Sequence, residues 1–499
     1  MLKPKDSILN SPDASLATPA AVPRIIPRSE HAISRSHISP NALRVLYRLR
    51  DAGFMAFLVG GCVRDLLIRI EPKDFDVATD ALPEEVKRLF RNCRLVGRRF
   101  RLAHVFFGRE TIEVATFRAA TAPSQGDEPL PEADPEDGEA PELDEAQLDE
   151  EEAPASAAPP ASVREDDSAA RRLDASGRIL RDNVYGTIDE DVWRRDFTVN
   201  ALYYNIADFS LWDYVNGAQD IAARTLRLIG DPETRFREDP VRMLRAARFE
   251  AKLGFQIDPA TANQIGPLRD LLMGVPPARL FDETLKIFLT GYGARGFEVL
   301  RRRGLLAGLL PTVDAYFSSH PGSLVQKLLV QGLKNTDARV MADKPVAPTF
   351  LFALLLYGPI AGLIEAAPPE RWHELATILE ACDQATREAQ TRIAIPRRFS
   401  LGVREMFSLQ PRLEHPRGRR ALRMLEHPRF RAAYDLLLLR AEYGLAPADM
   451  AQWWTRLQEV SVEERGRMAD GLAGQTPTRA PQGTHRRGRR RRRSGPASH

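Results

Sequence analysis

The sequence predicts an α+β fold, in which an α/β domain is followed by a long all-α region. Between residues 39 and 225, short apolar runs of strand type alternate with helical patterns, which is typical of a sheet covered by helices. From residue 226 onward the pattern becomes a series of amphipathic helices. The 499 residues are 43% hydrophobic and 28% charged, so the chain can bury the cores of roughly two to four domains.

The first elements lead into a glycine turn. A predicted helix over residues 41–51 has one apolar face, and the apolar strand Phe57–Val59 follows it. Gly60 and Gly61 then allow a sharp turn and a close approach of the backbone to a ligand. The helical pattern of residues 63–70 would direct its first N–H groups at a phosphate above the turn, and Arg64 could add a cationic fork. This stretch predicts a phosphate-binding turn.

Two aspartates follow the turn at close spacing. If Phe75 and Val77 belong to a strand, its period of two places Asp74 and Asp76 on one face, away from the core. Two adjacent carboxylates repel unless a cation neutralises them, and oxygen ligands suit Mg²⁺. Taken alone, such a pair is more often an ordinary surface or turn feature. Its position shortly after a glycine turn favours a metal site that serves phosphoryl transfer.

The remaining strands of the predicted domain flank this site. A helix is expected over residues 82–90, with Pro83 near its start, and three strands are expected over residues 93–97, 103–107 and 111–115. Glu113 alternates with the apolar residues of the last strand. It faces either the site or solvent, and the sequence leaves both interpretations open.

The net charge of +3 conceals strong segregation of charge. Residues 123–170 are rich in Asp, Glu, Pro and Ala, which predicts a disordered insertion. Residues 1–38 are expected to form a flexible leader and residues 464–499 a disordered tail. The tail could be a merely solvated terminus, but its arginines favour binding of RNA phosphates. They are Arg486, Arg487, Arg489, Arg490, Arg491, Arg492 and Arg493.

A second polar cluster precedes the end of the α/β domain. Arg194 and Arg195 precede Asp196 in the run RRDFTVNAL, and two arginines beside an aspartate suit a nucleotide triphosphate and ribose, with Asp196 as a third acid near the metals. A structural ion pair is the alternative. A closing strand is expected over residues 211–215.

A third cluster opens the helical region. The run from Arg237 predicts one helix with an acidic start, on which Asp239 and Arg242 share a face. An acceptor and a fork of donors could read the edge of a base without a template, although a first-turn ion pair would look the same. Further helices are expected over residues 280–290, 349–357, 374–382 and 430–443.

Several function classes are excluded by composition. No stretch of about 18 or more apolar residues occurs, so no membrane span is expected, and the N-terminus lacks a secretory pattern. Cys62, Cys93 and Cys382 lack metal-type spacing, which fits reduced thiols and a cytoplasmic location. Cys62 is interpreted as a space-filler, because no histidine pairs with it.

The order of these motifs identifies a resemblance. The glycine turn, the paired aspartates, RRDFTVNAL and EDPVRMLRAARF together resemble the class II nucleotidyltransferases, which comprise bacterial poly(A) polymerases and tRNA CCA-adding enzymes. The likeness extends from about residue 25 to about residue 454. Within this group the chain looks most like a bacterial poly(A) polymerase, because of LVGRRFRLAHVFFG, LEHPRFRAAYDLLLLRAE and the arginine-rich tail.

The resemblance implies a polymerase-beta-like head over residues 39–225, a helical neck over 226–290 and a helical body over 291–463. It also implies roles for the site residues. Asp74 and Asp76 would be metal ligands and Asp196 the third acid. Gly60, Gly61 and Arg64 would bind the triphosphate, and Arg195 the ribose. Asp239 and Arg242 would select the base. Cys62 stands where a third glycine is expected, and the acidic insertion is longer than expected.

The implied activity is transfer of AMP from ATP to RNA 3′ ends with two Mg²⁺ ions, or Mn²⁺ in their place. The expected partners are RNA, ATP and RNA-decay proteins, and the chain is expected to be monomeric. A CCA-adding enzyme is the nearer alternative. An RNA-binding protein without catalysis is a second alternative, which the intact Asp74 and Asp76 disfavour.

Overall fold

The computed structural model describes residues 22–97, 101–119 and 184–472, and the backbone of residues 172–173 and 179–181. The predicted acidic insertion at 123–170 and the arginines at 486–493 lie outside these residues. Within the described chain, an α/β region is followed by helices, as the sequence predicted.

The α/β region is built on one mixed sheet of eight strands in the order β1-β10-β9-β2-β3-β6-β5-β4. Most neighbouring strands are antiparallel, but β3 and β6 are parallel. The strands are β1 Arg24–Ile26, β2 Ala56–Val59, β3 Asp76–Thr79, β4 Cys93–Val96, β5 Leu102–Phe107, β6 Glu110–Thr116, β9 Leu202–Asn205 and β10 Leu211–Asp213. A separate antiparallel pair consists of β7 Arg172–Leu173 and β8 Ile179–Arg181.

Within the described residues, five α-helices accompany this sheet: α1 Pro40–Asp51, α2 Gly61–Leu67, α3 Pro83–Leu89, α4 Ile188–Arg194 and α5 Gly217–Ala222. Helix α1 starts at Pro40 because the Ser39 side chain accepts hydrogen bonds from the next free backbone N–H groups. Its apolar face is buried against β2, β3 and β6. Strand β2 is buried along its whole length, so the glycine turn that follows it starts from a fixed point.

Three expectations for the N-terminal half are wrong in part. The flexible leader was expected to reach residue 38, but Arg24–Ile26 form an edge strand paired with β10. Strand β3 begins at Asp76, so Asp74 lies in the preceding loop and not on the strand. The helix expected from Arg237 is two helices, because Asp239 has an extended backbone. Helix α6 ends before that residue and α7 begins after Pro240.

The described chain from residue 225 to residue 472 is almost entirely helical. A short parallel pair, β11 Thr225–Leu226 and β12 Gln256–Ile257, is the only sheet within this described part. The helices are α6 Pro232–Glu238, α7 Val241–Leu253, α8 Pro259–Leu268, α9 Pro277–Phe288, α10 Gly293–Arg302, α11 Leu306–Leu309, α12 Pro311–Ser319, α13 Leu324–Met341, α14 Pro348–Leu355, α15 Tyr357–Glu365, α16 Leu375–Gln390, α17 Arg397–Glu414, α18 Arg420–Met424, α19 Phe430–Glu442, α20 Ala448–Glu459 and α21 Val462–Gly471. Helix α21 corrects the tail expectation, since residues 464–471 are helical.

The chain divides into two compact units. Of the described residues, those up to Glu283 and Glu298–Gly308 form the N-terminal unit, and Thr284–Phe297 and those from Leu309 onward form the C-terminal unit. The predicted neck therefore belongs largely with the head. In the C-terminal unit, helices α17, α19 and α20 bury a core that includes Leu413, Leu437 and Trp454.

The described helices can be tested against the expectation that the chain has no membrane span. None of them is by itself long and apolar enough to cross a bilayer, although α14 and α15, which meet at a bend of 44°, pass the length and composition test as a pair.

Candidate active site

The glycine turn lies at the end of the buried strand β2 and has the predicted geometry. Gly60 has a φ of 76°, which a residue with a side chain rarely adopts. A Cβ atom at Gly60 would lie 3.6 Å from Asp76 Oδ2 and 3.9 Å from Arg195 Nη1. The missing side chain thus leaves a gap between a carboxylate and a guanidinium. The structure brings together three residues that the sequence had singled out separately.

Arg64 does not present the free cationic fork that the sequence predicted. It is buried, and its Nε and Nη2 donate to Asp65 Oδ1 at 2.8 and 2.6 Å while Nη1 donates to Asn200 Oδ1 at 2.5 Å. A buried guanidinium needs such partners, and Asp65 is the next residue of the same helix. The Cβ position of Gly61 lies 3.4 Å from Arg64 Nη2. Arg64 therefore stabilises the turn through contacts within the protein and is not a free donor for a phosphate.

Cys62 is buried inside helix α2, where its Sγ donates to the Val59 carbonyl at 3.1 Å. Burial raises the pKa of this thiol to about 12, so it stays protonated. Its backbone is helical and needs no glycine, so the departure from the family pattern leaves the turn intact. Cys62, Cys93 and Cys382 are all free and buried.

Asp76 is the central carboxylate of the site, with Glu113 and Asp74 near it. It opens β3 and lies directly opposite Glu113 on the parallel strand β6, so both side chains leave the same face of the sheet. Burial and the negative charges of Glu113 and Asp74 raise the pKa of Asp76 to about 6, against the opposing charge of Arg195. Asp74 is exposed in the loop before β3. Of the two interpretations of Glu113, the register favours the one that faces the site.

These acids can be compared with the ligand set of a cation site. Among the described residues, no group of three or more His, Cys, Asp or Glu side chains is placed so that the group could hold a metal ion. Mg²⁺, however, commonly uses one or two carboxylates together with water and substrate phosphates. Asp76 is a partly buried carboxylate with a raised pKa and has two further acids near it, so a bound cation would relieve the repulsion between these charges. The residues present therefore fit Mg²⁺.

Arg195 is held beside Asp76 by two residues that the sequence analysis missed. Its Nε donates to the Tyr203 hydroxyl at 2.7 Å, and its Nη2 donates to Asp191 Oδ2 at 3.0 Å. The Tyr203 hydroxyl donates in turn to the same Asp191 oxygen at 2.7 Å. Burial alone would lower the pKa of Arg195, but Tyr203 and Asp191 raise it, so the guanidinium stays charged. Asp191 could have been found, since it precedes Arg195 by four residues on a helical pattern.

Asp196 is not placed among the acids that act on Asp76. Its Oδ2 accepts from Arg245 Nε at 2.7 Å, and its Oδ1 accepts from Asn200 Nδ2 at 3.2 Å. Burial alone would raise the pKa of Asp196, but the Arg245 charge and these hydrogen bonds hold it at about 2. The expected third acid is instead bound to helix α7, and the structural ion pair is the interpretation that the geometry supports. Arg245 lies 49 residues away, so no local pattern could reveal it.

The predicted base-selecting pair is close in the chain, but each member has its own partner. Asp239 Oδ2 accepts from Arg279 Nη2 at 2.9 Å. Arg242 is buried, and its Nη1 donates to the Arg235 carbonyl at 2.7 Å and to Glu238 Oε2 at 2.9 Å. The shared helical face is wrong, because Asp239 lies between α6 and α7. The arginines of the tail, Arg486 to Arg493, lie outside the described residues.

The overall fold has known counterparts. A solved tRNA nucleotidyltransferase, complexed with a primer tRNA and an incoming ATP analog, superposes with a TM-score of 0.50. It is 20% identical in sequence, and the match covers 83% of this chain and 98% of that one. The mixed-sheet head and the helical remainder therefore place the chain in the fold class of the tRNA nucleotidyltransferases.

Family models and relatives narrow this class. Three models match, described as "Poly A polymerase head domain" at residues 56–227, "Probable RNA and SrmB- binding site of polymerase A" at 254–317 and "Polymerase A arginine-rich C-terminus" at 370–494. Poly(A) polymerase I of Salmonella typhi is 44% identical over 453 residues, which are 90% of this chain and 88% of the relative. A CCA-adding enzyme of Lactobacillus helveticus is 31% identical over 258 residues, which are 52% of each chain. The chain belongs to the bacterial poly(A) polymerase I family.

Proposed function

We propose that this chain adds AMP from ATP to RNA 3′ ends without a template and releases pyrophosphate. The observation that carries the proposal is the gap above Gly60, which is bordered by Asp76 Oδ2 on one side and Arg195 Nη1 on the other. A triphosphate in this gap would meet a cationic donor and, through a cation, a carboxylate. The family membership supports the same activity.

Asp74, Asp76 and Glu113 are the residues that would hold Mg²⁺, with Mn²⁺ as a possible replacement of the same ligand preference. When bound there, the cations supply activation of the RNA 3′-hydroxyl and stabilisation of charge on the leaving pyrophosphate. Gly60 and Gly61 admit the triphosphate close to the backbone. Arg195 donates from Nη1 to its oxygens or to the adjacent ribose. Asp196 acts indirectly, because it binds Arg245 and joins the end of the sheet region to α7.

The surroundings of Arg242 support selection of one base. Its guanidinium is fixed by Glu238 and by the Arg235 carbonyl. Arg235 in turn donates to the Arg195 carbonyl at 2.6 Å, so base-selecting and triphosphate-binding arginines belong to one hydrogen-bonded chain. A donor held this firmly suits one base edge, since a mismatched base leaves buried polar groups unpaired. A CCA-adding enzyme must instead accept CTP twice and then ATP.

A CCA-adding activity is the second candidate, because the fold is shared with a tRNA nucleotidyltransferase. It is disfavoured because the match to a CCA-adding enzyme covers about half of the chain, whereas the match to a poly(A) polymerase I covers nine-tenths. We place RNA contacts in residues 254–317, on the description of the matching model, and in the tail. A cytoplasmic, monomeric enzyme that works with RNA-decay proteins completes the proposal, on the strength of the family likeness.

The test supplies the purified protein with an unstructured RNA and each nucleoside triphosphate singly, and with a tRNA that lacks its CCA end. We expect ATP to give many additions to the unstructured RNA and CTP to give few. Asp76→Asn is the control for contaminating activity. Addition of C, C and A to the tRNA followed by arrest would instead establish the second candidate, and no addition to either RNA would refute both.

A further inference from the structure

Arg195 has one terminal nitrogen that its neighbours leave for the site. Asp191 and Tyr203 engage Nε and Nη2, on one edge of the guanidinium. Nη1 is the nitrogen near the Cβ position of Gly60. The guanidinium is therefore divided into an edge that is held and an end that points at the gap beside Asp76.

The held edge rests on rigid elements. Tyr203 is fully buried in strand β9, and its ring lies beneath the guanidinium, with 4.9 Å between the ring centroid and Arg195 Cζ. The same residue pairs with Val59, the last residue before Gly60, and Val59 pairs with Asp76 on its other side. Tyr203, Val59 and Asp76 thus form one row across three neighbouring strands. Tyr203, whose hydroxyl holds Arg195, is therefore in the same sheet as the strand before Gly60 and the strand that begins with Asp76.

The second support comes from helix α4. Asp191 lies one turn before Arg195, and its side chain is only 14% exposed. Its Oδ2 accepts from both Arg195 and Tyr203, so the three side chains form a closed triangle of hydrogen bonds. Burial raises the pKa of Tyr203 well above its ordinary value, so the hydroxyl remains protonated and donates to Asp191. A closed, charge-assisted arrangement restricts the rotamer of a long side chain that would otherwise be mobile.

The geometry points to Asp191 and Tyr203 as positioning residues for the nucleotide. They hold Arg195 so that Nη1 faces the polyphosphate of ATP above Gly60, and neither of them touches the ligand. This inference rests on the proposed function for its ligand, an adenosine triphosphate. It assigns roles to two residues outside the recognised motif residues and explains why a tyrosine hydroxyl is buried in the core of the sheet.

The chain offers a matched pair of variants for the test. Tyr203→Phe removes the hydroxyl and keeps the ring. Tyr204→Phe makes the same change one residue later, where the buried hydroxyl has no hydrogen-bond partner among the described residues. The first readout is the Kd for ATP in magnesium buffer without RNA, measured by calorimetry. The second is the KM for ATP and for RNA during extension.

We expect Tyr203→Phe to raise the Kd and KM for ATP roughly tenfold, because it removes two hydrogen bonds to charged groups. The KM for RNA and the values for Tyr204→Phe should stay within about twofold of wild type. Asp191→Asn, which keeps an acceptor, should raise the Kd less than Asp191→Ala. In an Arg195→Ala background, Tyr203→Phe should have almost no further effect, since the residue it positions is gone.

Three results would overturn the inference. One is an unchanged Kd for ATP in Tyr203→Phe. Another is full additivity of the effects of Tyr203→Phe and Arg195→Ala on the Kd for ATP. Together with a lower Tm of the Tyr203→Phe variant, that additivity would indicate that Tyr203 has a purely structural role. The third is a wild-type chain that binds no ATP, which would also refute the proposed function. A wild-type chain that binds ATP but extends no RNA would refute the proposed function alone, because the Kd comparison still decides the inference.

Discussion

Two aspartates of the N-terminal unit are held in opposite electrostatic states. Burial and neighbouring acids raise the pKa of Asp76 to about 6, whereas Arg245 overcomes burial and holds that of Asp196 at about 2. Asp196 is thus a satisfied ion pair at neutral pH. Asp76 is a carboxylate whose charge the folded protein opposes unless a cation is present.

The state of Asp76 predicts a stabilising mutation that destroys activity. A raised pKa means that the ionised form costs stability above pH 6 and that this cost vanishes below about pH 4, where Asp76 is protonated in both states. In metal-free buffer at pH 7.5, Asp76→Asn should therefore raise the free energy of unfolding, by up to about 3 kcal/mol. The gain should shrink as the pH falls from 6 to 4. Guanidinium denaturation series at several pH values measure it.

The effect of Mg²⁺ on the Tm of Asp76→Asn is a complementary test of the same carboxylate. Mg²⁺ should raise the Tm of the wild type and leave that of Asp76→Asn nearly unchanged, because binding to the native state alone is stabilising. Nucleotide addition by the variant should fall by several powers of ten. Equal Tm shifts in the two proteins would show that the cation binds elsewhere.

At the scale of single residues, the sequence predicted residue types correctly but not always their partners. Gly60, Asp76 and Arg195 were named from local patterns, and the structure brings them together. Arg64 and Asp196 were each predicted to bind a ligand, but in the structure their charged groups are hydrogen-bonded to other side chains of the protein. A local pattern shows that a charge is present, whereas its neutralisation depends on residues far along the chain.

At the scale of elements, the parallel pairing of β3 with β6 is the decisive feature. Strands β2, β3, β4, β5 and β6 were predicted within a few residues, but β9, which carries Tyr203, was not predicted, and a sequence does not contain the strand order. The parallel register alone places Glu113 beside Asp76. The break between α6 and α7 was missed for a related reason, because a helical pattern continues across Pro240.

This register predicts a third acid for the reaction. Glu113→Gln should lower kcat at least tenfold, since it removes a charge from the carboxylates proposed to hold the cations. Glu110→Gln is the matched control, because it changes an acid of the same strand that faces the opposite side of the sheet. Steady-state extension assays compare them. If both variants retained wild-type kcat, Glu113 would be a solvent-exposed strand residue and no more.

At the scale of the whole molecule, the sequence predicted an α/β part and a helical part, and both are confirmed. The compact units differ from the predicted head, neck and body, since the N-terminal unit extends to Glu283 and also includes Glu298–Gly308. Hydrophobic periodicity locates helices, but the core that each helix joins depends on long-range packing. Domain boundaries inside a helical region are therefore poorly predicted from sequence.

The arginine-rich tail should contribute to RNA binding as a whole-molecule charge effect. Deletion of residues 486–493 should weaken RNA binding and flatten its dependence on salt, by roughly 0.7 in the logarithmic slope for each RNA phosphate that the arginines no longer neutralise. The KM for ATP should not change, because these arginines would bind RNA phosphate only. Binding titrations from low to moderate salt test this. Identical slopes for the two proteins would argue that the tail does not bind RNA.

Strand β1 has a practical consequence for any shortened version of the chain. Arg24–Ile26 cover the outer edge of β10, so a truncation that removes the whole predicted leader, residues 1–38, would uncover unpaired N–H and C=O groups along that strand. Exposed edges pair with one another, and we expect this truncated protein to self-associate in light scattering and to melt at a lower temperature. A truncation that stops after residue 21 should remain monodisperse. Arg24–Ile26 thus prevent strand β10 of one molecule from pairing with the sheet of another.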